Sequence, residues 1–85
     1  MAHIEIYTTR ICPFCIAAKR LLGEKQVTYS EIDVGGDLAL RDGMTKRANG
    51  AHTVPQIFIN DKHIGGCDDL YRLDRNGELD TLLQG

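Results

Sequence analysis

The chain has 85 residues, 42% of them hydrophobic and 26% charged, with nine Gly, two Pro and no Trp. That length holds one modest core, and the apolar content sets the chain apart from intrinsically disordered sequences. A net charge of −2 with both signs interspersed leaves no basic stripe for a nucleic-acid backbone, and no apolar run approaches the ~20 residues of a membrane span.

At the N-terminus, MAHIEIYTTR lacks a charged segment followed by a long apolar stretch, so no signal peptide is expected. Residues 3–7 alternate polar and apolar, the period of a half-buried strand. Thr8 to Ile11 connect this strand to Cys12-Pro13-Phe14-Cys15. Pro13 suits the first turn of a helix, where its missing N–H is harmless, and Ala17, Ala18, Leu21 and Leu22 continue a helical stripe to about Gly23. Val27 to Asp33 reads as a second strand, stopped by Gly35-Gly36. Asp37 then offers an N-cap for a helix to about Arg47, with Leu40, Met44 and Ala48 on one face and Asn49-Gly50 closing it. Val54-Pro55 precedes the β-branched and aromatic strand Gln56-Ile57-Phe58-Ile59, which Asn60-Asp61 turns into a hairpin with Lys62-His63-Ile64. After Gly65-Gly66, Cys67 to Asp74 is expected to be helical with Leu70 and Leu73 inward. Leu79, Leu82 and Leu83 predict a last helical turn over the core. The order β-α-β-α-β-β-α describes an α/β fold in a single domain over residues 1–85. Its first βαβ unit gives parallel strands and its late hairpin an antiparallel edge.

Three cysteines are an odd number and too few to staple a mini-protein, so the thiols are expected to do chemistry in the cytoplasm. A thiol where a strand hands over to a helix faces orphan N–H groups and the positive end of the helix dipole, which favour thiolate. Cys12 holds that position as an exposed nucleophile, and Cys15, one turn inside on the same face, is the more buried resolving thiol. Half of a zinc site is the other reading of such spacing. It needs two more ligands, and Cys67, His52 and His63 form no second close pair, so no metal is expected.

Cys12-Pro13-Phe14-Cys15, Thr53-Val54-Pro55 and Gly65-Gly66-Cys67-Asp68-Asp69, in this order across essentially the whole chain, resemble a small bacterial dithiol glutaredoxin. The resemblance implies a thioredoxin-like fold, a four-stranded mixed β-sheet flanked by helices, with glutathione as co-substrate. It also implies that Pro55 is cis, so that the Val54 backbone would pair with the cysteinyl part of glutathione in a strand-like way, flanked by Thr53. Without the resemblance, Thr-Val-Pro merely starts a strand. By the same resemblance, backbone N–H groups from Gly66 to Asp68, near Cys67, hold the γ-glutamyl carboxylate and Asp69 takes its ammonium. Helix capping by Asp68 or Asp69 is compatible with that role.

Family members often carry Lys three residues before the first Cys; here that position is Thr9, and Arg10 is the expected substitute, helped by Arg41 or Lys46. Ile11 replaces a small polar residue, and Phe14 stands where Tyr is usual. Phe14 fits either a cleft wall or the core. Cys67 reads as a small buried hydrophobe, with regulatory disulfide formation or glutathionylation as the other role. His3, His52 and His63 are expected at the surface or in turns, with His52 brushing the ligand beside Thr53.

The resemblance thus implies a monomeric glutathione-dependent thiol–disulfide oxidoreductase acting on glutathionylated and disulfide-containing proteins. A thioredoxin-type reductase is disfavoured by the absence of Trp and by Pro-Phe between the cysteines. A carrier of an iron–sulfur cluster shared by two chains through Cys12 and two glutathiones is disfavoured by the stiff Pro13. A plain binding module is the remaining alternative.

Overall fold

The computed structural model describes residues 2–84; Met1 and Gly85, the ends of the expected 1–85 unit, lie outside the described residues. The chain runs through β1 (Ile4–Thr8), α1 (Pro13–Glu24), β2 (Ser30–Asp33), α2 (Leu38–Arg47), β3 (Gln56–Ile59), β4 (Lys62–Gly65), α3 (Cys67–Arg75) and α4 (Glu78–Gln84). The strands form one mixed sheet in the order β2-β1-β3-β4, with β1 and β2 parallel and the other pairs antiparallel.

Alternation in β1 turns Ile4, Ile6 and Thr8 inward. Across the β1–β3 ladder Ile4 faces Ile59 and Ile6 faces Ile57. These isoleucines pack with Ala18, Leu21 and Leu22 of α1, Cys67 and Leu70 of α3, and Leu79 of α4. The opposite face is covered by α2, whose Arg47 guanidinium lies 4.0 Å from the Phe58 ring centroid. Arg47 also donates to both Glu5 carboxylate oxygens at 3.1 and 2.6 Å and to the Tyr7 hydroxyl at 3.1 Å. This guanidinium holds the Glu5 carboxyl below the usual carboxylate range. With both its faces covered, β3 is buried at every position.

Several expected boundaries move. The first strand begins at Ile4 and includes Thr8. The second begins only at Ser30, because its ladder starts opposite Glu5; Val27 and Tyr29 instead pack against the core without strand pairing. On α2, Met44 and Ala48 are buried as expected but Leu40 is 44% exposed. The contacts of α2 with the sheet come from its C-terminal half, so its first turn stands in solvent. Asn49 and Gly50 close α2 with φ of 58° and 96°. Asn60 and Asp61 both adopt positive φ, 52° and 67°, as the tight hairpin demands. The final helical turn is a full helix, α4, separated from α3 at Gly77 (φ 77°), so the order is β-α-β-α-β-β-α-α.

Candidate active site

The thiol pair sits where β1 hands over to α1. Cys12 is the N-cap of α1, in extended conformation, and Pro13 follows as the first helical residue. The Cys12 sulfur accepts a hydrogen bond from the Cys15 N–H at 3.1 Å and forms a disulfide with Cys15, their Cα atoms 5.1 Å apart. No acidic residue occupies the first turn of α1, so nothing there offsets the positive end of its dipole. The same N–H and dipole that meet the sulfur here favour a thiolate when the disulfide opens.

Cys15 is 1% exposed and Cys12 7%, so the order of burial is as expected but Cys12 is not the exposed group its position predicts. Its sulfur is bonded to Cys15 on one side and lies 3.7 Å from the Val54 carbonyl oxygen on the other. The Val54–Pro55 peptide bond is cis, which matches the expectation for Pro55.

Beside this contact opens a cleft of about 500 Å³. Its lining brings together Phe14 from α1, the segment Thr53, Val54 and Pro55 ahead of β3, and Gly66, Cys67, Asp68 and Asp69 at the start of α3. Phe14 is 63% exposed and belongs to this wall, not to the core. Across the cleft, the α3 N-terminus is shaped by Asp69, which accepts from the Gly66 N–H at 3.0 Å and pairs with Arg72 at 3.1 Å. Gly65 precedes it with φ 120°, and a Cβ there would collide with the Asp69 side chain, so only glycine lets the strand meet this cap. Cys67 is a buried free thiol; burial first, and the Asp68 carboxylate second, push it above its ordinary value. At neutral pH it is a protonated, weakly nucleophilic group in the cleft lining.

Arg10 is exposed in the β1–α1 connection and is not part of the cleft lining. The two cations expected to help it are engaged elsewhere: Arg41 donates to the His52 carbonyl at 3.0 and 3.3 Å, and Lys46 pairs with Asp42 at 3.1 Å. His52 is exposed outside the lining.

Ala51 and two polar residues, Gln56 and His63, also line the cleft and are not expected from the sequence. Gln56, 3% exposed, donates from Nε2 to the Thr53 carbonyl at 3.0 Å and to the Thr53 hydroxyl at 3.3 Å. His63 was expected in a surface or turn role, yet it is half-buried in the cleft wall with Nε2 2.6 Å from Gln56 Oε1. The hairpin register carries it there, against the Phe58 ring. The signal in the sequence was a glutamine inside an otherwise apolar central strand, since a buried amide requires partners. Among the described residues no group of three or more His, Cys, Asp or Glu side chains is placed to hold a metal ion. Among the described residues no helix is long and apolar enough to cross a membrane.

A family model described as Glutaredoxin matches residues 4–64. The chain is 55% identical over 84 residues to Glutaredoxin 3 of Escherichia coli strain K12, covering 99% of this chain and 100% of the relative. It is 51% identical over 83 residues to a glutaredoxin of Pseudomonas aeruginosa, covering 98% of each. Among solved structures, a buckwheat glutaredoxin–glutathione complex superposes with a TM-score of 0.89 at 28% identity, over 98% of this chain and 77% of that one. The solution structure of glutaredoxin from Brucella melitensis gives 0.86 at 48% identity, over 98% and 89%.

Proposed function

The chain belongs to the glutaredoxin family, and from that premise we propose that it is a glutathione-dependent thiol–disulfide oxidoreductase, reducing protein–glutathione mixed disulfides and protein disulfides. The observation that carries this reading is the Cys12–Cys15 disulfide at the α1 N-terminus, in contact with the Val54 carbonyl at the edge of the cleft. The complex of the buckwheat relative with glutathione supports the choice of thiol.

In this reading glutathione lies along the cleft, its cysteinyl backbone pairing with Val54 beside Thr53, Pro55 and Phe14. The γ-glutamyl carboxylate meets the N–H groups from Gly66 through Cys67 to Asp68, Asp69 takes the ammonium, and Arg10 serves the glycyl carboxylate. The Cys12 thiolate attacks the glutathionyl sulfur of a mixed disulfide; the new Cys12–glutathione bond forms as the old S–S bond breaks, and the protein thiolate leaves and takes a proton from water. A second glutathione thiolate then attacks the sulfur of the bound glutathione, releasing glutathione disulfide and restoring the Cys12 thiolate. Against a protein disulfide, Cys12 forms the mixed disulfide and Cys15 displaces the substrate thiol, closing the Cys12–Cys15 bond that two glutathiones later reduce. The chain acts as a monomer in the cytoplasm, where reduced glutathione returns it to the dithiol form.

A glutathionylated-substrate assay coupled to glutathione reductase tests the assignment. Cys12→Ser abolishes turnover, whereas Cys15→Ser retains deglutathionylation and loses reduction of protein disulfides. Full activity in Cys12→Ser would overturn the reading.

A further inference from the structure

The segment 51–55 has no regular secondary structure, and side chains hold two of its carbonyls, those of His52 and Thr53. Arg41 of α2 takes the His52 carbonyl from one side. Gln56 takes the Thr53 carbonyl and hydroxyl from the other, and its own oxygen lies against His63 Nε2. The Thr53 carbonyl can only accept, so the Gln56 NH2 group must face it and Oε1 must face His63. His63 Nε2 therefore carries a proton.

The Thr53 carbonyl shares a rigid peptide plane with the Val54 N–H, and in a trans peptide the two point in opposite directions. Fixing the carbonyl on Gln56 thus aims the Val54 N–H away from β3. That N–H donates to no backbone carbonyl among the described residues. We propose that Gln56 and His63 are positioning residues: anchored on His63 Nε2, the Gln56 amide grips Thr53 and so aims the Val54 N–H for the backbone of an incoming glutathione. The inference rests on the glutathione reading above and adds two residues that do not touch the reacting sulfur.

Two measurements test it. Long-range nitrogen–proton spectra of the histidine rings, recorded on the wild-type protein in mildly alkaline buffer, should show neutral His63 protonated at Nε2. In coupled assays, His63→Phe and Gln56→Glu should each raise the KM for glutathione about five-fold, the effect of one lost hydrogen bond, with a smaller fall in kcat. His63→Phe keeps a ring against Phe58, and His63→Gln, which restores an N–H donor, should recover most of the lost affinity. If Gln56→Glu does not fold, His63→Phe carries the kinetic test with Gln56 intact. A ring protonated at Nδ1, or an unchanged KM in folded His63→Phe, overturns the inference. A wild-type protein whose spectra do not respond to glutathione overturns it together with the functional reading, whereas a responsive wild type with indifferent variants overturns it alone.

Discussion

In the proposed binding mode, Asp69 is the residue on which folding and ligand recognition compete most directly. One of its oxygens closes the α3 N-terminus on Gly66 N–H and the other pairs with Arg72, which leaves its charge, more than its geometry, available to a cationic ligand group. Asp69→Asn separates the two roles, because an amide oxygen can still accept from Gly66. Helicity by circular dichroism should be retained while the KM for glutathione rises roughly ten-fold, the scale of one charge-assisted hydrogen bond. An unchanged KM would show that the ammonium binds elsewhere. At this scale the sequence was most legible where chemistry depends on neighbours along the chain. The strand-to-helix position of Cys12, the spacing to Cys15 and the helix mouth at Cys67 to Asp69 all fall within one turn of their partners. Gln56 and His63 were hidden because their meeting depends on cross-strand register. The ladder pairs Phe58 with His63 and Ile57 with Gly65, and that irregularity skips Ile64. No period in the sequence announces such a shift. The burial of Cys12 was equally hidden, since the Val54 carbonyl that approaches its sulfur comes from a segment 42 residues away.

Among the elements, α2 is the one least explained by an apolar stripe. Met44 is its only buried residue within the helix, while Leu38 and Leu40 face solvent. Its attachment is polar and aromatic instead: Arg47 stacks on Phe58 and binds Glu5, Tyr7 and Asp61. Arg47→Met keeps much of the aliphatic contact and removes the charge, leaving the Glu5 carboxylate without its main partner. A loss of roughly 1–3 kcal/mol in urea-induced unfolding is expected, and Glu5→Gln should remove most of the additional effect when the two changes are combined. A double variant whose losses simply add would mean the pair is not coupled. The sequence announced α2 through its Asp37 cap and its Asn49-Gly50 ending, which are local signals, but not which face it would bury. The missing start of β2 has a similar cause. Val27 and Tyr29 have strand-like side chains, yet they lie ahead of the β1–β2 ladder, which begins with Ser30 opposite Glu5. The break that makes α4 a separate helix lies at Gly77, whose positive φ no continuous helix accommodates.

At the scale of the molecule, two carboxylates link stability to acidity. Glu5 is held below the usual range chiefly by Arg47, and Glu31 chiefly by the Thr8 hydroxyl and then by Lys19. Groups with depressed folded values bind protons more readily in the unfolded chain. Their stabilisation is therefore fully present above the unfolded carboxyl value of ~4.3 and is lost as the pH falls through the lower folded values. Urea midpoints should stay level from neutrality down to that region and then fall, and Glu5→Gln should start lower and fall less steeply. A wild-type midpoint that rises on acidification would contradict this. Topology was legible as far as the handed βαβ unit and the hairpin; which strand the hairpin joins was not, and the facing isoleucines of β1 and β3 fix it beside β1. The strand with both faces covered, β3, begins immediately after Pro55. A receptor edge continuous with the least deformable part of a protein surrenders almost no freedom of its own when occupied. In the proposed binding mode, nearly all the entropic cost of docking then falls on the flexible tripeptide, so a conformationally restrained analogue of that tripeptide would gain affinity by rigidity alone.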